Sequence, residues 1–247
     1  MTGLAVHPTT GILYGTTGNA SPASPGFLIT IDTTTGAGTP IGDLVPASET
    51  AADITFGADG TLYGWLEAGT DDLITIDLLT GAATVIGDSG LSTAGAGLAG
   101  NANPVFMAGE GDADCVSLID TGTGAVTDPC VFTLDSTFNG EISAMDFNAG
   151  GTLYAADLQT SGARPAQLVT IASTGAVTVL GATVNRLDAI AFGLAAPQPS
   201  PSLPDAATSQ PTGNAGLGGS LWALGLLLVI GASGLAIGRA RLSTRGR

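Results

Sequence analysis

The chain has 247 residues, of which 21 are acidic and 6 basic, for a net charge of -15; there is no lysine, and charged residues make up 11% of the whole. Since about 25% charged residues is ordinary for a globular chain, the acidity reflects missing bases more than abundant acids. No basic patch is available to neutralise phosphates, which argues against nucleic acid as a partner. The single histidine, His7, leaves almost no material for a His-rich metal site or a Ser-His-Asp triad, and no cofactor site is read.

From the first residues onward one phrase repeats. Leu13-Tyr14-Gly15, Leu28-Ile29-Thr30-Ile31-Asp32, Thr35-Gly36-Ala37 and Thr39-Pro40-Ile41-Gly42 return as Leu62-Tyr63-Gly64, Leu73-Ile74-Thr75-Ile76-Asp77, Thr80-Gly81-Ala82 and Thr84-Val85-Ile86-Gly87. Degraded copies surround Ile119-Asp120 with Thr123-Gly124-Ala125, and Leu153-Tyr154 with Thr174-Gly175-Ala176. The turn glycines Gly36, Gly81, Gly124 and Gly175 set a period of roughly 45 residues, the length of a four-stranded propeller blade. The apolar runs within each copy are short, β-branched and bounded by Gly, Asn, Asp and Thr, so they predict strands and hairpins. Blade two reads as strand A at Ile54 to Phe56, B at Leu62 to Trp65, C at Leu73 to Ile76 and D at Ala83 to Ile86. The fold class is therefore all-β: a propeller of four-stranded antiparallel blades over residues 1–195, four copies visible, plus one orphan strand.

Asp32, Asp77 and Asp120 close strand C ahead of a tight connection, where a carboxylate accepts backbone N–H groups two residues on and the following Gly supplies a positive φ. A ring of calcium-binding carboxylates is the sharper reading of the same positions. Ala172 stands at the fourth, which excludes any site that needs every Asp.

Runs of this type resemble those of secreted bacterial β-propeller proteins in the broad YVTN and quinoprotein-amine-dehydrogenase-like group. The resemblance covers roughly residues 1–195. It implies the propeller fold and leaves activity open, because that group includes enzymes and binding modules alike.

Gly95 to Gly100 matches G-x-G-x-x-G by letter, but it lies between strand D of one blade and strand A of the next with no helix to follow, so it does not read as a dinucleotide site. Cys115 and Cys130 fall on one hairpin. If Asp120 pairs with Ala125, the two cysteines face each other across strands C and D at a distance a disulfide can bridge; the alternative is an unpaired buried thiol pair.

Leu187 to Phe192 repeats the strand A phrase with no B, C or D strand after it. A lone inner strand needs partners on its edges. Met1 is followed at once by a strand A sequence, with no basic and apolar leader. Together these lead to the expectation that the reading frame extends upstream by a signal peptide and one set of B, C and D strands, roughly 35 residues at the measured period. A complete four-bladed ring with a redundant last strand is the competing expectation.

Residues 196–216 form a Pro, Ser, Thr and Ala linker, an extended spacer. Leu217 to Ile237 carries no charge and is long enough to cross a hydrocarbon core of ~30 Å as a single transmembrane helix, assigned to residues 217–238. Trp222 sits near its outer end. Residues 239–247 form a basic tail whose four arginines, Arg239 and Arg241 first, hold the C-terminus in the cytoplasm and place the propeller outside. Spacer, apolar segment and basic tail resemble a bacterial sortase or exosortase sorting signal, which implies processing to the cell surface. Leu203-Pro204-Asp205-Ala206-Ala207 departs from that motif in lacking its Thr-Gly.

The function expected is that of a cell-surface-anchored, non-catalytic binding or interaction module whose partners are the membrane and a surface protein or glycan. The alternatives are an extracytoplasmic enzyme with an acidic site in the channel, built from Asp53, Asp146 or Asp188, and an envelope structural component.

Overall fold

The computed structural model describes residues 1–44, 50–67, 71–100, 105–110, 115–134, 142–157, 166–184, 187–193 and 227–229. Four antiparallel sheets of four strands follow one another along the chain. Blade one comprises β1 (Gly3–Val6), β2 (Leu13–Thr16), β3 (Phe27–Ile31) and β4 (Gly38–Asp43). Blade two comprises β5 (Ala51–Phe56), β6 (Leu62–Leu66), β7 (Asp72–Ile76) and β8 (Ala83–Asp88). Blade three comprises β9 (Ala94–Ala99), β10 (Val105–Glu110), β11 (Cys115–Ile119) and β12 (Val126–Thr133). Blade four comprises β13 (Ile142–Phe147), β14 (Leu153–Asp157), β15 (Gln167–Ile171) and β16 (Val177–Ala182). The all-β array of four-stranded antiparallel blades expected from the period, four copies followed by one further strand, is the architecture observed.

The strand after blade four, β17 (Ile190–Phe192), settles how the ring closes. It packs against β13 on one side and β1 on the other, while β1 packs on β5, β5 on β9 and β9 on β13. Five A-type strands therefore surround the axis, and β17 is the innermost strand of a fifth sector. Its outer edge pairs antiparallel with β18 (Leu227–Val229), Ala191 opposite Leu228. Within the expected transmembrane span only these three residues are described, and they are extended; no helix among the described residues is long and apolar enough to cross a membrane.

The core lies between blades, as the apolar character of strand C on both faces requires. Leu28, Ile54, Leu62 and Ile74 fill the space between blades one and two, and Trp65, Leu73, Leu98 and Ile119 that between two and three. Leu153, Val169 and Met145 meet Val116 between three and four. The inner strands approach one another closely where they carry glycine: a Cβ on Gly97 would stand 2.8 Å from the backbone of Ala144, and one on Gly100 2.8 Å from the Phe56 carbonyl. The G-x-G-x-x-G letters thus belong to an inner strand, and two of their glycines make room for neighbouring backbone.

Strand D of blades one, two and three meets the C–D turn of the following blade. A Cβ on Gly42 would fall 1.9 Å from the Thr80 carbonyl, one on Gly87 2.1 Å from that of Thr123, and one on Gly175 1.8 Å from that of Thr133. The turn glycines Gly36, Gly81, Gly124 and Gly175 all have φ between 73° and 82°, the left-handed region that costs other residues dearly.

Cys115 and Cys130 form a disulfide with Cα atoms 5.1 Å apart. The register differs from the expected one. Asp120 and Ala125 are joined by a backbone hydrogen bond of 3.0 Å and Ile119 faces Val126, but farther along Cys115 faces Thr133. The ladder slips twice, at Thr127 between the Ile119–Val126 and Leu118–Asp128 pairs, and again across Pro129 to Val131 between the Leu118–Asp128 and Val116–Phe132 pairs. Pro129 has no N–H for the ladder, the Asp128 carboxylate accepts the Cys130 amide at 3.1 Å, and Ser117 Oγ donates to the Pro129 carbonyl at 2.8 Å.

Candidate functional site

Because strands alternate in direction, the A–B and C–D turns share one end of the ring. A cavity of about 490 Å³ opens at the centre of that end, lined from every sector: Val6 and Pro8, Phe56 and Gly57, Gly100, Asp146 to Gly151, and Phe192 with Gly193. The lining turns are held by their own polar groups. Asn148 Oδ1 accepts the amides of Gly150 and Thr152, Asp59 Oδ1 accepts that of Thr61, and His7 Nδ1 accepts those of Thr9 and Thr10. His7 is therefore a turn residue, as its place before Pro8 implies, and its ring lies 5.0 Å from that of Phe56.

Among the described residues Asp146 is the sole ionisable side chain in the lining. It ends β13, where Oδ1 accepts the Phe147 amide at 2.8 Å and Oδ2 the Phe192 amide of β17 at 2.6 Å. Burial pushes its carboxyl up to about 7, against the downward pull of those two amides. A group titrating there can change charge near neutrality, and its partly open surface faces the cavity.

Asp53 lies deeper, fully buried on β5. Its Oδ2 accepts the Leu98 amide at 2.9 Å and the Met145 amide at 3.4 Å, and Oδ1 accepts that of Ile54 at 2.9 Å. Burial raises its carboxyl well above the ordinary carboxylate range despite these bonds, and the nearby Asp146 adds to the rise. Asp188 is half-buried and is not among the cavity's lining residues. Of the three carboxylates named from sequence, one reaches the cavity and one ties inner strands together.

Asp32, Asp77 and Asp120 stand at the rim of the same end, each turned inward on its own loop. Asp32 Oδ1 accepts the amides of Thr34 and Thr35 at 2.7 and 2.9 Å, Asp77 Oδ1 those of Leu79 and Thr80, and Asp120 Oδ1 those of Gly122 and Thr123. Those bonds hold the Asp32 and Asp77 carboxyls below their ordinary value. No group of three or more potential metal-ligating side chains comes together among the described residues. The anchor residues Leu217, Trp222, Ile237, Arg239 and Arg241 lie outside the described residues.

Sequence reasoning missed Asp71, which adopts φ 43° without being glycine. Its carbonyl accepts Ser89 Oγ at 2.7 Å and its carboxylate accepts the Thr93 amide, so it ties the entry of strand C to the passage into blade three. Nothing in the local pattern distinguishes it from its neighbour Asp72.

No family model matches the chain, and no curated protein does. Among solved structures, a gluconolactonase from Xanthomonas campestris is 12% identical with a TM-score of 0.50, over 76% of this chain and 64% of its own. TolB from Acinetobacter baumannii is 16% identical with a TM-score of 0.50, over 77% of this chain and 45% of its own. A virginiamycin B lyase from Staphylococcus aureus is 16% identical with a TM-score of 0.47, over 76% of this chain and 58% of its own. The chain spans less than two thirds of the length of each. At these identities the likeness is one of fold, and the fold is the β-propeller.

Proposed function

We propose that this chain is a membrane-anchored, non-catalytic β-propeller that binds a cell-surface protein or glycan at the turn-bearing end of its ring. The observation that carries the reading is the cavity itself, lined by residues of every sector and holding, among the described residues, one ionisable group whose two oxygens are already engaged by backbone amides. Such a mouth offers shape and backbone polar groups, the material of recognition. The apolar span with its Arg-rich tail supports an anchor that leaves the propeller outside and the C-terminus in the cytoplasm; the likeness to sorting signals adds processing to the surface.

A single observation favours a second reading. Burial at the cavity wall pushes the Asp146 carboxyl up to about 7, the range suited to proton transfer, so an acidic enzyme site in the channel is the alternative. Both readings are tested together on full-length protein in detergent. Binding to an array of bacterial surface glycans and to envelope proteins is measured for the natural chain and for Ala149→Trp, which blocks the mouth. Saturable binding that the block abolishes supports the proposal. Turnover of a bound ligand that Asp146→Asn eliminates overturns the non-catalytic reading, and binding indifferent to the block overturns the site.

A further inference from the structure

Three of the chain's seven phenylalanines gather at the central cavity: Phe56, Phe147 and Phe192 line it from the ends of β5, β13 and β17. Each is backed by a second ring. Phe56 meets Tyr14 edge-on at 5.6 Å, Phe147 meets Phe106 edge-on at 5.3 Å, and Phe192 lies 4.6 Å from Tyr154. Such pairs hold an aromatic wall in place before any ligand arrives. Beside them stands Asp146, whose charge the fold does not require at that place. Ala5, Thr55, Ala99 and Asp146 share one register position, facing Tyr14, Tyr63, Phe106 and Tyr154 of the adjoining strand B. In blade two Thr55 Oγ1 accepts the Gly100 amide at 2.6 Å, just as Asp146 Oδ2 accepts that of Phe192. A neutral hydroxyl therefore suffices to tie neighbouring inner strands, and of the four residues only Asp146 brings a charge to the cavity.

The elements packed against β13 bring no counter-charge. β9 and β17 carry no ionisable residue, β14 sets Tyr154 opposite Asp146, and β5 contributes a second acid, Asp53. Asp157 and Glu110 lie toward the other ends of β14 and β10, facing Ile142 and Ala94. His7, the one basic side chain among the described residues, turns its Nδ1 to the amides of Thr9 and Thr10. A carboxylate offers about four lone-pair sites, and the amides of Phe147 and Phe192 take two of them. No trio of metal-ligating side chains gathers among the described residues, whereas an organic cation asks only for a carboxylate and aromatic walls. We infer that this cavity takes an organic ammonium group, held against the Asp146 carboxylate and by the rings of Phe56, Phe147 and Phe192; the inference rests on the reading of this end as the binding site and names the chemistry of its ligand. The ligand brings the missing counter-charge. Because burial holds the Asp146 carboxyl up at about 7, the cation displaces a proton below that pH and meets an ionised group above it.

The test is titration calorimetry on the full chain in non-ionic detergent, with choline and ethanolamine as probes and 3,3-dimethylbutan-1-ol and propan-1-ol as their uncharged counterparts. At least one cation should saturate a single site and bind about tenfold or more tighter than its counterpart, and the tighter of the two reports whether the group is quaternary or primary. Its affinity should fall about tenfold from pH 8 to pH 6, and binding at pH 6 should release close to one proton, read from the heats in buffers of different ionisation enthalpy. Asp146→Thr copies the blade-two residue and keeps an acceptor for the Phe192 amide. It should lose both the preference for the cation and the proton release, and Phe192→Leu should weaken choline about fivefold, the scale of one cation–π contact. Cations that bind no better than their counterparts, no saturable heat at millimolar concentration, or selectivity that survives Asp146→Thr overturn the inference. If Asp146→Thr does not fold, the natural chain decides, because binding at pH 6 without proton release overturns it as well. The wider reading of this end as a binding site fails separately: it falls when surface glycans and envelope proteins bind regardless of Ala149→Trp, and it stands when that block abolishes their binding even though the small cations fail.

Discussion

The Asp53 carboxylate lies 2.9 Å from the amide of Leu98, on the neighbouring inner strand, and reaches the Met145 amide of the strand beyond at 3.4 Å. One side chain thus fastens three of the strands around the axis. Replacing it by alanine takes the acceptor from three amides, those of Leu98, Met145 and Ile54; the two that reach across to other strands cost roughly 1–3 kcal/mol each. Asp53→Ala should therefore cost roughly 2–6 kcal/mol in urea unfolding, with Asp53→Asn closer to the natural chain because it imitates the protonated acid. Equal midpoints for Asp53→Ala and the natural protein would remove the fastening role.

Stability should peak in mildly acidic solution. Asp146 and Asp53 have raised folded-state values, Asp146 about 7 against the ordinary 3.8. Between those limits the folded chain holds more protons than the unfolded one, so stability falls as pH rises through that window. Asp32, Asp59 and Asp77 are lowered, so their contribution is present above 3.8 and is lost as pH falls below it. The two trends meet near pH 4. Denaturant midpoints from pH 3 to 8 should trace that maximum, and Asp146→Asn should flatten the descent between 4 and 7, whose slope is at most about 1.4 kcal/mol per pH unit for one group.

The disulfide closes a separation of 15 residues on the hairpin of blade three. A chain-entropy estimate for such a loop is about 3 kcal/mol. Thiol labelling of unreduced, unfolded protein should find no free sulfhydryl, and the Cys115→Ser, Cys130→Ser pair should lose stability of that order. Two labelled cysteines would count against oxidation and against an exported setting alike.

Protease added to intact cells should remove the propeller and leave a protected fragment ending in the Arg-rich tail. Arg239→Glu with Arg241→Glu should weaken that orientation, because positive charge beside an apolar span sets which end stays inside. A propeller that survives on intact cells and is cut only after lysis would reverse the topology.

The period was legible because each turn glycine sits at positive φ, a demand that no other residue meets cheaply, so its spacing tracks the blades. The Asp at the end of strand C was legible for a related reason: its partners are two and three residues away. Asp53 and Asp146 were nameable as inner-strand carboxylates, but their partners lie 45 and 46 residues on, and no local pattern says that Leu98 and Phe192 present their amides there. The hairpin register departs from a regular ladder at Thr127 and again beyond Asp128, where Pro129 has no donor to offer, and neither irregularity is contained in arithmetic on a regular ladder. The ring of five inner strands was half legible, in that the orphan phrase at Leu187 to Phe192 was recognised and its seat between β13 and β1 was not.

The glycine that ends one blade and the carbonyl of the turn in the next belong to the same sentence of sequence. Gly42 serves the Thr80 turn and Gly87 the Thr123 turn, so each unit carries both halves of a fitting that is completed only by its neighbour. A tandem duplication of such a unit creates a matching joint at once, with no new surface to invent. A substitution at one half, by contrast, is felt in a different copy some forty residues away. Growth by copying is easy for this chain, and drift of any single copy is restrained by the next.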